Sequence, residues 1–313
     1  MRRIIWERIE GFLFPQESDT WLTVLRLGAA LQVILYCSTT RAEWHETFSM
    51  QSVGPIRRDL SEAVLSAQSH FIPRMGWLVD AGARIGLGEG LVLEIIWWAL
   101  LIAGISLLVG LFCRASAIVA AFLHLCAVKS SGALSYGVDI FTIVGLFYVA
   151  VAPLPDSFSL DRHFRQLKPK YAELNGFFRR ALQVHVCLIY FFSGIAKCAG
   201  VGWWNGESIW RAVIRPPFNM ISPSILIHWK FFFPIASISV CILETAYPIF
   251  IWPRRTRVIW LCSVVAMHIG IAAFLGMYLF ALIMIILNLA AFGPPFRWRQ
   301  DAGVNVVAEQ GIA

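Results

Sequence analysis

Residues 257–292 form one apolar run whose only charged or imidazole side chains are Arg257 and His268. A helix rises about 1.5 Å per residue, and the hydrocarbon core of a bilayer is about 30 Å thick. The run is too long for one crossing and fits two, with a break at Leu275-Gly276-Met277. Six further apolar segments, 20–38, 91–112, 114–128, 136–152, 180–199 and 232–252, complete a set of eight. Of the 313 residues, 58% are hydrophobic and 14% charged, and the mean hydropathy is +0.68. Soluble domains carry about 25% charged residues. The chain therefore reads as all-α, a polytopic transmembrane helix bundle of about eight spans.

The net charge of +7 is explained by membrane sorting, because Lys and Arg collect on the inner side of spanning helices. No nucleic-acid-binding motif accompanies it. With the N-terminus inside, the inner segments hold fifteen basic residues and the outer segments nine. Arg26 and Lys197 lie within spans and complete the 26. This bias places both termini inside. It also puts the long loops 39–90 and 200–231 outside, as a cap of short helices and a tryptophan- and proline-rich segment. The expected domain arrangement is an interfacial amphipathic segment at 1–19, a transmembrane domain at 20–295 and a polar tail at 296–313. In the first of these, Ile5, Ile9, Phe12 and Leu13 recur at helical spacing, and the surrounding charges argue against a signal peptide. The inner loop 153–179 reads as a solvated basic linker. The seven cysteines lie in or beside apolar segments without a Cys-x-x-Cys pair, so a disulfide framework is not expected. Cys198 adjoins Lys197.

Titratable residues inside apolar segments are costly and are candidates for function. Lys197 ends the stretch Tyr190-Phe-Phe-Ser-Gly-Ile-Ala-Lys197, which runs on through Cys198-Ala-Gly-Val-Gly into Trp203-Trp204. Tyr190, Ser193, Gly194 and Lys197 fall on one helical face. Two readings of Lys197 stand side by side: a lysine snorkelling to the outer headgroups, or an amine held away from water as a base or nucleophile. Glu244 and His268 each sit in the middle of a segment, either as a structural Glu–His pair or as parts of a pocket. Asp139 caps the helix start at Tyr136-Gly-Val-Asp139, or else faces Lys197 across the bundle. His124 reads as packed, and Arg26 as snorkelling inward. No His-x-x-His or Glu-x-x-His spacing occurs, so no metal site is expected. The phosphate-loop, dinucleotide and nucleophile-elbow signatures are also missing.

Arg180-Ala-Leu-Gln183, Tyr190 to Lys197 with its Gly-x-x-Lys ending, and Trp203-Trp204-Asn-Gly206 together resemble the central helix of the vitamin K-dependent gamma-carboxylase-like, or HTTM domain, membrane proteins. Tyr136-Gly-Val-Asp139, Ser157-Phe-Ser-Leu-Asp161 and Met267-His268-Ile-Gly-Ile resemble the same family in the same order, so the resemblance covers residues 20–295. It implies that Lys197 is the base that deprotonates a reduced vitamin K-type naphthoquinone. Oxygenation of that cofactor then gives a base strong enough to remove a glutamate gamma-proton, and the carbanion takes up carbon dioxide. His268 falls where the family has a pocket histidine, with Glu244 as a further catalytic candidate. Tyr190, Gly194, Trp203, Trp204, Tyr136 and Asp139 are the cofactor-binding candidates. Where the carboxylases carry Asn-Asn-His, this chain reads Ser-Gly-Ala-Leu-Ser-Tyr136-Gly-Val-Asp139, and it ends soon after the last span. Both features are closer to the sporulation-delaying-protein maturation branch. The implied partners are membrane lipid, a secreted peptide or protein substrate and other maturation proteins, and the implied location is a bacterial inner membrane. The competing readings are a non-catalytic maturation, export or immunity partner of a secreted peptide, and a membrane transport or binding protein.

Overall fold

The computed structural model describes residues 2–50, 57–132, 135–165 and 172–294. The tail 296–313, the basic positions Lys168, Lys170, Arg297 and Arg299, and the side chain of Ile5 lie outside the described residues. All regular structure among the described residues is helical. The main helices are α1 (Arg2–Leu13), α2 (Thr20–Thr40), α3 (Glu89–Val109), α4 (Cys113–Ser130), α5 (Gly137–Val151), α6 (Ala172–Cys198), α7 (Phe232–Thr245), α8 (Arg254–Leu275) and α9 (Tyr278–Phe292).

Each of the eight apolar segments contains one of these helices. Five of them, α2, α3, α4, α6 and α8, are long and apolar enough to cross a membrane. A sixth crossing arises if α7 is taken together with the short helix Pro223–Trp229, against which it is bent by 77°. The remaining two, α5 and α9, are apolar but only 15 residues long. At about 1.5 Å per residue such a helix falls short of a full bilayer core. α9 is largely covered by its neighbours: it packs on α2, α5, α6 and α8 and buries Ile283, Met284, Leu287, Asn288 and Phe292 among others. A helix apolar on every side is expected at such a central place. By contrast, α8 buries only Leu261, Val264 and His268, and leaves Val258, Ile259, Ile269 and Phe274 exposed. In lipid, that face meets its natural solvent.

The break between α8 and α9 falls at Gly276, which adopts a left-handed φ of +67° and donates its N–H to the Ala272 carbonyl at 3.0 Å. Only glycine enters that conformation without steric cost. The segment 232–252 is less continuous than its composition suggests. α7 stops at Thr245, and a one-turn helix, Tyr247–Phe250, follows. Pro248 explains the interruption, because it lacks the N–H that would continue the ladder.

Two expectations are corrected at the end of the bundle that carries Asp156 and Arg26. The region 153–179 is not a solvated linker where it is described. α6 already begins at Ala172, and Asp156, Ser159 and Asp161 are buried. Arg26 does not snorkel. Its side chain is wholly buried and meets Asp156 through Nε at 2.6 Å and Nη2 at 3.1 Å, while Nη1 donates to the carbonyls of Leu107 (2.6 Å) and Leu108 (3.0 Å). Thr23 adds a hydroxyl to the same carboxylate at 2.8 Å. Asp161 accepts the N–H groups of Phe112 and Cys113 at 3.0 and 2.9 Å, and so closes the start of α4. Further along, Arg180 donates to the Phe12 carbonyl at 2.8 Å and lies over the rings of Phe12 and Trp252, which ties α1 to α6.

Between α2 and α3, the described residues include three short helices, Trp44–Phe48, Arg58–Gln68 and Met75–Arg84. They are fastened by polar contacts. Trp44 donates to the Leu93 carbonyl at 2.9 Å, and Glu62 accepts from the Ser130 hydroxyl at 2.6 Å and from the Gly76 N–H at 2.9 Å.

Candidate functional site

The face of α6 that carries Tyr190, Ser193, Gly194 and Lys197 meets α7 and α9. Gly194 sets how closely. A Cβ at this position would stand 2.5 Å from both the backbone nitrogen and the hydroxyl oxygen of Thr245. No other residue allows the two backbones to touch there. Gly194→Leu should therefore force α6 and α7 apart and cost about 1–3 kcal/mol through overpacking. A lowered unfolding midpoint of the detergent-solubilised protein would record it, and an unchanged midpoint would deny the contact.

This close approach delivers Lys197 to a carboxylate. Its Nζ lies 2.5 Å from Glu244 Oε2, donates to Ser193 Oγ at 2.6 Å and sits 5.4 Å from the ring centre of Trp203. The side chain of Lys197 is 21% exposed and that of Glu244 only 8%. The lysine side chain thus stays partly exposed, whereas the carboxylate is nearly closed off. An ion pair this dry requires good geometry, since both groups have given up water. Cys198 and Thr245 flank the pair, with Sγ and Oγ1 3.6 Å apart. Trp204 is about half exposed and donates its indole N–H to the Cys198 carbonyl at 2.8 Å, which holds the tryptophan turn over the end of α6.

Two helical turns before Lys197, a second polar group fills the centre of the bundle. Asn288 donates from Nδ2 to the Tyr190 hydroxyl oxygen at 2.7 Å and to the Met284 carbonyl at 2.8 Å. Its Oδ1 accepts the Tyr247 hydroxyl at 2.7 Å. Tyr190 also contacts His268 Nε2 at 2.8 Å and stacks on Tyr247, with ring centres 4.3 Å apart. Asn288 fills one lone pair of the Tyr190 oxygen; with the Tyr190 proton directed to His268 Nε2, the imidazole proton sits on Nδ1. That Nδ1 is buried and has no partner among the described residues.

The structure thus separates the two mid-segment groups that the sequence allowed to pair. Glu244 binds Lys197, and His268 binds Tyr190. Tyr136 and Asp139 lie elsewhere. Asp139 accepts the Tyr136 N–H at 3.0 Å at the start of α5, and its other oxygen stands 3.7 Å from His124 Nε2. The reason is that α5 packs on α2, α4 and α9. Among the described residues, no contact joins Asp139 to Lys197. Sequence reasoning had not singled out Asn288 or Tyr247. Asn288 left one trace, as the lone amide in the apolar run of α9.

An all-helical bundle with this many long apolar helices defines an integral membrane protein. The HTTM domain model matches residues 88–295, more than half of the chain and including α3 to α9. The chain therefore belongs to the HTTM domain family, whose domain is found in vitamin K-dependent carboxylase-like membrane proteins. No curated protein and no solved structure matches it.

Proposed function

We propose that the chain is a carboxylase-like membrane enzyme of the lyase class, which modifies or matures an exported peptide or protein. In this reading Lys197 is the base and a reduced vitamin K-type naphthoquinone is the cofactor. One observation carries it: an amine in contact with a buried carboxylate and lying beside an indole ring, its side chain still partly exposed. An amine takes up a proton only after releasing its own. Glu244 Oε2 and Ser193 Oγ are the groups in hydrogen-bonding contact with Nζ, and of these only the carboxylate is a ready acceptor. Glu244 is thus the proton store, Ser193 the group that orients Nζ, and Lys197 the atom that faces substrate.

A reduced naphthoquinone is flat and apolar and carries two hydroxyls. The residues fit such a group. Trp203 offers a flat wall beside the amine, and His268 Nδ1 is a buried polar nitrogen with no partner among the described residues. Gly194 and Tyr190 keep the helix face between them. When bound and oxygenated, the cofactor supplies a base stronger than any side chain. Lys197, Glu244 and His268 position and discharge protons around it. Anaerobic titration of the purified protein with reduced menadione should give saturable quenching of tryptophan fluorescence, much of it lost in Trp203→Leu. A titration identical to that of empty detergent micelles would rule the cofactor out.

The reading also requires Lys197 to lie towards the outer side of a bacterial cell membrane, where exported substrates and other maturation proteins are met. A reporter fused after residue 215 should appear outside and one fused after residue 168 inside. The reverse would place Lys197 on the wrong side of the membrane.

A further inference from the structure

We propose that Cys198 and Cys241 form a redox-active dithiol that exchanges with disulfides at the end of the α6–α7 pair. The helix register brings them together. α6 and α7 approach to backbone contact at Gly194 and Thr245. Cys198 lies one turn beyond Gly194, and Cys241 one turn before Thr245. Because the helices run antiparallel there, the next turn of one faces the next turn of the other. The side chains agree with the register: Cys198 Sγ lies 3.6 Å from Thr245 Oγ1, Lys197 meets Glu244, and Tyr190 stacks on Tyr247. Both cysteines are free.

The two thiols are also unequal in a useful way. Cys241 is 1% exposed, whereas Cys198 is half-buried beneath Trp204. The accessible thiol suits the attacking role and the enclosed one the resolving role. Cys37, Cys113, Cys126 and Cys187 are buried, and Cys262 is exposed on α8. In the reaction, Cys198 attacks one sulfur of an incoming disulfide as a thiolate. That S–S bond breaks, a mixed disulfide forms on Cys198, and the departing sulfur takes up the proton that Cys198 lost. Cys241 then attacks the Cys198 sulfur, and its proton leaves with the second departing thiol. The substrate disulfide is reduced to two thiols, and the chain is oxidised to a Cys198–Cys241 disulfide. On the proposed topology this end of the bundle faces the outer compartment, where disulfides form and persist.

The proposal is independent of the quinone, so its test contains neither quinone nor peptide. The full chain carrying Cys262→Ser is purified in detergent, incubated with oxidised glutathione, alkylated and analysed by intact and peptide mass spectrometry. The expected product has lost two alkylatable thiols, shows a peptide crosslink between Cys198 and Cys241, and retains no glutathione. Adding Cys241→Ser, or Cys241→Ala if the serine fails to fold, should trap glutathione on Cys198. Adding Cys198→Ser should abolish both products. If folded protein keeps every thiol alkylatable and carries no adduct, or if the crosslink joins other cysteines, the proposal is wrong.

Discussion

Asp156→Ala should be the most destabilising single substitution in the chain, by about 3–5 kcal/mol. Both Arg26 and Asp156 are fully buried, and the guanidinium has no route to water. Removing the carboxylate leaves a cation held only by backbone carbonyls, and the Thr23 hydroxyl keeps only the longer bond to the Asp19 carbonyl at 3.4 Å. The penalty comes from the stranded charge rather than from the lost bond. The double variant Arg26→Met/Asp156→Leu should therefore recover much of the loss, because replacing a buried pair by apolar groups is often close to neutral. Denaturant unfolding of the solubilised protein measures both. A single variant as stable as the wild type would show that Arg26 is not buried as described.

Lys197→Ala should lower product formation by about 10²–10⁴-fold, the usual contribution of a positioned acid or base, while the helix content stays unchanged. The variant also strands Glu244, whose side chain is only 8% exposed, so some stability should be lost with the activity. A second substitution separates the two effects. Lys197→Ala/Glu244→Ala removes both members of the pair and should regain stability over Lys197→Ala without regaining activity. If activity returns with stability, the lysine is a structural member of the α6–α7 contact and no more.

The sequence made the helices legible because hydrophobic runs report directly on lipid and core. The eight apolar segments and the break at Gly276 followed from length and composition alone. The arrangement of those helices did not, since a run of apolar residues does not say which neighbour it meets. Several of the eight segments are shorter than a straight crossing needs, and α5 and α9 are helices of only 15 residues, α9 packed against four others. Arg26 was misjudged for a related reason. Its partner, Asp156, lies 130 residues away in a segment that looks polar and exposed. Lys197, Tyr190 and Gly194 could be placed on one face from their spacing. The partner of Lys197 could not be, because Glu244 and His268 look alike in sequence, each a single titratable group in an apolar helix. Only the packing of α6 against α7 at Gly194 gives Glu244 to the lysine and leaves His268 to Tyr190.

The central claim is that Lys197 works by giving and taking a proton, and arginine substitution tests it most directly. Arginine keeps the positive charge but does not release its proton near neutral pH. The measurement is the rate at which reduced naphthoquinone is consumed in oxygenated membranes from cells expressing the wild type, Lys197→Ala, Lys197→Arg or no added protein. The wild type should exceed the empty membranes, and both variants should fall to the rate of the empty membranes. A Lys197→Arg protein that consumes the quinone at the wild-type rate would contradict the account and leave Lys197 as a fixed charge holding Glu244.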